Sequence, residues 1–286
     1  MSIPARRKVR GLLEGEYTST FHGRSPDFDD VRPYVPGDSL ADIDWKSTAR
    51  VGAPMTRRHI ASRKHNVLIV ADTGRTMAAL AGSGERKIDI AITISGMLAY
   101  VATRHGDLVG LVAGDSAETV SRRPASTEAH LERLLQVMST RTTSDSALSG
   151  FGKSLDFVAR AYRRRLILLI ISDDRPPGPA ELSTLRRLAV QHELLWITIG
   201  DADPTQEDWR SGEVFDVVGA DLIPSALRSN RRVREEFARA TFNAIRDRAV
   251  LLESLQIAGE RVDDSGDALP TLVRLLAAHR STVRRR

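Results

Sequence analysis

The chain has 286 residues, of which 41% are apolar, enough to bury one large α/β domain with extensions. It contains no cysteine, which excludes disulfides, thiolate metal sites and a cysteine nucleophile. The formal charge of +5 is carried largely by arginine, part of it at the ends as Arg6-Arg7-Lys8-Val9-Arg10, Arg280 and Arg284-Arg285-Arg286. Solvated tails are the ordinary reading of such clusters. Nucleic acid is not the expected partner, because no basic helix with interleaved aromatics appears.

The longest strongly apolar run, Leu166 to Ile171, falls far short of the ~20 residues a membrane helix needs. The charged N-terminus is not followed by an apolar stretch of the signal-peptide kind. A cytoplasmic protein is expected.

Residues 1–62 read as a β-rich extension, punctuated by turns at Pro33, Pro36-Gly37-Asp38 and Gly52-Ala53-Pro54. Met55 to Ser62 reads as a short exposed strand. From residue 63 the texture changes. Val67-Leu68-Ile69-Val70-Ala71 is a short, branched, apolar run ended by a polar turn, the mark of a buried strand.

Ile88 to Thr103 is apolar on nearly all sides, which predicts an interior helix. Leu108 to Ala113 and Glu118 to Ser121 read as strands. Ser126 caps a helix running through Met138. Ser144 to Tyr162 reads as a helix, Leu166 to Ile171 as a strand, Pro179 to Gln191 as a helix, and Leu194 to Ile199 and Val214 to Val218 as strands.

Alternating strands and helices predict a doubly wound α/β fold, with a mainly parallel sheet covered on both faces, over residues 63–225. Residues 226–286 read as a helical segment packing on it. Val233, Phe237, Ala240, Ala244, Leu251 and Leu255 mark a long helix from about Asn230 to Ser254, and a last helix spans about Leu269 to Arg280.

In open parallel sheets ligands sit beyond the carboxyl ends of strands, where the strand order reverses. With the order 3-2-1-4-5, the strand ending at Asp72 lies beside the one ending at Asp173. Thr142, Thr143 and Ser144 supply hydroxyls that a loop can bring to the same edge. Carboxylates with hydroxyls form a hard, oxygen-only shell that suits Mg²⁺ better than zinc. The plainer reading is that Asp72 and Asp173 cap turns and helix N-termini without any metal.

This arrangement resembles the von Willebrand factor A domain and its metal-ion-dependent adhesion site. That family carries Asp-x-Ser-x-Ser, then a distant Thr, then a distant Asp. Here Asp72 and Thr76 match the first motif in type, with Gly74 in place of its first serine. Thr143, or Ser144 in a competing alignment, stands for the distant Thr, and Asp173 for the distant Asp. The resemblance therefore implies a degenerate metal site at Asp72, Thr76, Thr143 and Asp173.

A second segment narrows the family. Arg32, Tyr34, Gly37 and Asp38, followed by Ile43, Asp44, Trp45 and Arg50, resemble the signature of domain-of-unknown-function family 58, whose members join a β-rich lead-in to a von Willebrand A-like domain. Gly37 permits a tight turn, Asp38 accepts N–H bonds within it, and Asp44 is placed to pair with Arg50 or Arg32. Trp45 is a large apolar anchor. The favoured role for the cluster is to lock the lead-in onto the main domain, with a docking surface as the alternative. Members are commonly linked with MoxR-type AAA+ ATPases in complex assembly, chaperoning or metal insertion. Many carry transmembrane helices before the signature; this sequence shows none there, so a role without a membrane tether is expected.

Other motifs carry less. Gly152-Lys153-Ser154 lacks the leading glycine of a phosphate loop, since Ala147 stands there. No histidine pair has metal-ligand spacing, and no Gly-x-Ser-x-Gly elbow supplies a nucleophile. The expected function is a non-enzymatic protein-interaction module, with Mg²⁺ or no metal at its strand-end site. The alternatives are a Mg²⁺-dependent hydrolase of phosphate esters, using Asp173 or Asp174, and a basic nucleic-acid-binding protein.

Overall fold

Six strands form one sheet, whose central strands carry branched apolar residues toward both faces. In the computed structural model, which describes residues 11–22, 30–58, 64–206, 213–225 and 229–283, the central strands are β3 (Asn66–Asp72), β4 (Leu108–Gly114), β6 (Ile167–Ser172) and β7 (Glu193–Ile199). The antiparallel strand β5 (Thr119–Ala125) closes one side and the parallel strand β8 (Ala258–Val262) the other, in the order β5-β4-β3-β6-β7-β8. The five predicted strands of this sheet thus take the order 3-2-1-4-5, and a sixth is added.

Val67, Ile69 and Ala71 of β3 face one core with Ile167, Leu169 and Ile171 of β6. Leu68, Val70, Leu168 and Ile170 face the other. Burial on both faces is what turns period-two strands into continuous apolar runs. The first core is covered by α3 (Lys87–Arg104), α4 (Glu128–Arg141) and α8 (Ala268–Val283). The second is covered by α5 (Phe151–Ala161), α6 (Pro179–Gln191) and the end of α7 (Arg231–Ser254).

Several elements differ from the sequence reading. The segment that reads as helical, 226–286, is mostly so but also contributes β8. Its Ala-Gly-Glu-Arg-Val sequence hides a strand because Glu260 and Arg261 lie on the outermost strand of the sheet. The helix expected from Ser144 begins only at Phe151. A Cβ on Gly150 would lie 2.2 Å from the Asp115 carbonyl oxygen, so the chain there is pressed against the β4–β5 turn. Thr127, one residue past Ser126, caps α4. In place of a strand at Val214–Val218 there is a small turn closed by Asp216 N–H to Asp221 O at 2.8 Å and Ile223 N–H to Val214 O at 2.7 Å.

The extension is not simply β-rich. Strands β1 (Asp30–Pro33) and β2 (Met55–Arg58) pair antiparallel, but α2 (Trp45–Val51) lies between them. Asp44 caps α2 by accepting the Ser47 N–H at 2.9 Å, and Gly52 ends it at φ 76°. Residues 59–62 of the expected exposed strand, and the basic residues 6–10 and 284–286, lie outside the described residues.

A further helix, α1 (residues 11–17), runs into one π turn at Thr18–His22 and packs on α8. Its Leu13 and Tyr17 are fully buried in the first core. The Tyr17 hydroxyl donates to Asp107 Oδ2 at 2.7 Å, and Oδ1 accepts the His65 N–H at 2.7 Å. Burial, then the Asp107 charge, pushes the Tyr17 phenol above its ordinary range. Tyr17→Phe removes a donor from a buried carboxylate, and a lowered thermal midpoint equivalent to about 1–3 kcal/mol is expected by calorimetry.

Candidate functional site

Asp72 is the last residue of β3, and Asp173 follows the end of β6. The two strands are neighbours in parallel register, Ala71 opposite Ile171, so topology alone brings the two acids to one edge. Both are buried. Asp72 Oδ1 accepts the Gly74 N–H at 2.9 Å, and Oδ2 accepts the Ser149 hydroxyl. Asp173 Oδ1 accepts the Arg175 N–H at 3.1 Å. These are turn-forming bonds of the kind the plainer reading expects.

Burial pushes the Asp72 carboxyl up from 3.8 to about 6. The bonds from Ser149 and Gly74 oppose that rise, the Asp173 charge adds to it, and Arg175 opposes it. Arg175 itself is held by Glu181 at 2.7 Å. A buried carboxylate beside a second acid is what an added cation would relieve.

Gly74 explains the departure from the adhesion-site pattern. A Cβ there would lie 2.6 Å from both Cα and N of Ser149. The loop before α5 is thus laid directly on the Asp72 turn. It is pinned by Arg75 N–H to Ala147 O and Arg75 Nε to Ser146 O, each at 2.9 Å. A serine at position 74 has no room. Ser149 brings a hydroxyl to Asp72 from the opposite side.

The hydroxyl that this loop delivers to Asp72 is therefore that of Ser149. Thr143 is exposed and interacts with Ser146, its N–H donating to Ser146 Oγ at 2.9 Å. Thr142 is buried but turns back to the Met138 carbonyl at 2.9 Å. The hydroxyls of Thr73 and Thr76 are buried without a hydrogen-bond partner among the described residues. Sequence reasoning missed Ser149, whose only signal was its place in a Ser- and Gly-containing approach to a helix.

Other charges of the rim are paired with one another, although Asp263 Oδ1 is buried without a partner among the described residues. Lys87, buried at the start of α3, pairs with Asp201 after β7. Arg261 of β8 bonds Asp174 at 2.9 Å and also Asp263. Arg248 of α7 donates to the Asp174 carbonyl. Among the described residues, no group of three or more His, Asp or Glu side chains is arranged to hold a metal ion. A cation here would rest on two carboxylates and neutral hydroxyls, a hard donor set that fits Mg²⁺.

The signature residues form a braced unit. Arg32 pairs with Asp38 at 2.7 Å, Asp38 accepts the Val35 N–H at 3.1 Å, and Gly37 has φ 110°. Asp44 serves as the α2 cap, and its N–H donates to Met55 O at 2.8 Å. Ile43 bridges to Thr56. Trp45 does not lock the unit onto the main domain: it is 70% exposed, and Leu40 is 71% exposed.

Comparison with known proteins places these features in context. The family described as "Protein of unknown function DUF58" matches residues 30–245. The uncharacterised protein Rv1480 of Mycobacterium tuberculosis is 27% identical over 98% of this chain and 88% of its own length. Among solved structures, BatB from Bacteroides thetaiotaomicron shares 14% identity over 77% of this chain and 99% of that one, with a TM-score of 0.48. A von Willebrand factor type A protein from Catenulispora acidiphila shares 10% identity over 78% of this chain and 43% of that one, with a TM-score of 0.43. At these identities neither structure speaks to individual residues. No helix among the described residues is long and apolar enough to cross a membrane.

Two outcomes are expected at the rim. The folded state holds the Asp72 proton more tightly than the unfolded chain does. The contribution of this carboxyl is therefore full below about pH 4, and on the order of 3 kcal/mol is lost as pH rises past about 6. Thermal midpoints measured between those limits should fall in the wild type and flatten in Asp72→Asn. Gly74→Ser, which restores the motif hydroxyl, should destabilise by about 1–3 kcal/mol in denaturant melts, because the loop backbone must move.

Proposed function

The chain belongs to the DUF58 family, and we propose that it is a non-enzymatic protein-interaction module. The exposure of Trp45 carries this reading. A large aromatic side chain on a unit braced by the Arg32–Asp38 pair and the Asp44 cap is preorganised for contact. Tryptophan on such a surface is a frequent centre of binding energy. The partner, as the family resemblance implies, is a MoxR-type AAA+ ATPase, and the task is complex assembly or chaperoning.

The strand-end rim is the second contact. Asp72 and Asp173 would hold a Mg²⁺ ion there with the Thr76 hydroxyl, and Ser149 would take the part first expected of Thr143. The buried Thr76 hydroxyl, without a partner among the described residues, and the upward shift of the Asp72 carboxyl support this assignment. When bound, the ion offers residual positive charge to a partner carboxylate. The residues of the chain position it and exclude water, and no bond is broken. A hydrolase reading draws no support from Asp174, whose oxygens are taken up by Arg261 and the Asp201 N–H.

Titration calorimetry with a MoxR-type ATPase tests the first part. Trp45→Ala should weaken binding by about tenfold or more with an unchanged melting curve. Unaltered affinity would sink the docking role of the signature. Added Mg²⁺ should raise the thermal midpoint of the wild type and leave that of Asp72→Asn in place. If neither moves, the metal is removed from the proposal.

A further inference from the structure

Among the described residues, helix α7 is anchored only near its end. Within it just Arg248 and Leu252 are buried. Arg248 reaches the Asp174 carbonyl, and Leu252 sits against Gly259 of β8, where a Cβ would lie 2.4 Å from its Cδ1. The helix has 24 residues, about 36 Å, against roughly 23 Å for a seven-residue strand such as β7. It ends on the strand-start side, just before β8, so its first turns reach past the strand-end rim. There Phe237, Phe242 and Ile245 are 37%, 66% and 36% exposed.

Ala238, Phe242, Ile245 and Ala249 follow one another at alternating steps of four and three, the spacing of a helix–helix seam. Glu235 and Arg246 lie along one edge of that seam, about three turns apart. Their present partners are exposed ion pairs, Arg231–Glu235 at 2.8 Å and Arg246–Asp247 at 3.1 Å, which are readily exchanged.

We propose that α7 is the seam of a homodimer, in which two copies of the helix lie antiparallel about a two-fold axis near Ala240. In that register Phe242 of each copy packs over Ala238 of the other, large against small. Glu235 of each meets Arg246 of the other. Both matches occur twice, as an isologous interface requires. The reach of α7 past the rim leaves the two α/β bodies on opposite sides of the seam. A lipid surface is the weaker fit, since the polar face mixes Arg232 and Arg239 with Glu236 and Asp247 instead of being uniformly basic. This inference is independent of the ATPase and the metal.

Sedimentation velocity of the full chain, up to about 200 µM, decides it. The wild type should dimerise and Phe242→Glu should be monomeric. Glu235→Arg and Arg246→Glu should each weaken the dimer by about tenfold, and the double swap should restore it. All three positions are exposed, so circular dichroism and melting should not change. A monomeric wild type, a dimer that survives Phe242→Glu, or a double swap no better than its parents would overturn the proposal. So would vesicle binding that is lost in Phe242→Glu in a chain that never dimerises.

Discussion

The candidate site depends on one buried carboxylate. Asp72 ends the central strand of a sheet covered on both faces, where an unpaired charge is costly. Two donors from different parts of the chain answer that cost, the Gly74 N–H in the following turn and the Ser149 hydroxyl from the loop before α5. Ser149 approaches only because position 74 lacks a side chain. Glycine, loop course and carboxylate are therefore one arrangement, and the neighbouring Asp173 gives it its chemical interest.

The remaining rim acids show by contrast what a strand end held by cations looks like. Asp201 has Lys87, while Asp174 and Asp263 share Arg261. These pairs tie the ends of β6, β7 and β8 to α3 and to one another. Among the described residues Asp72 and Asp173 have no such cation in direct contact, and Arg175 bonds Glu181. The rim thus divides into a part that holds the fold together and a part with unspent electrostatic capacity.

The other surfaces with capacity are apolar. Trp45 on the signature unit and Phe242 on α7 stand out from stiff supports, one a capped helix start, the other a long helix fixed at its far end. Rigid presentation of aromatic side chains limits the ordering cost of association.

The core and the strand order were legible in the sequence, because strands buried on both faces must be apolar throughout and crossover helices must separate parallel neighbours. The convergence of Asp72 and Asp173 followed from that order. Local signals for α2 were also present, in Asp44 as cap and Gly52 as stop, though turn residues around them masked the helix. What sequence did not disclose were facts of approach between distant segments: β8 joining the sheet edge, α1 closing over α8, Ser149 in place of Thr143, and the outward face of Trp45. Periodicity records which side of an element is buried. It does not record which loop crosses which strand end, and only the packed chain decided that.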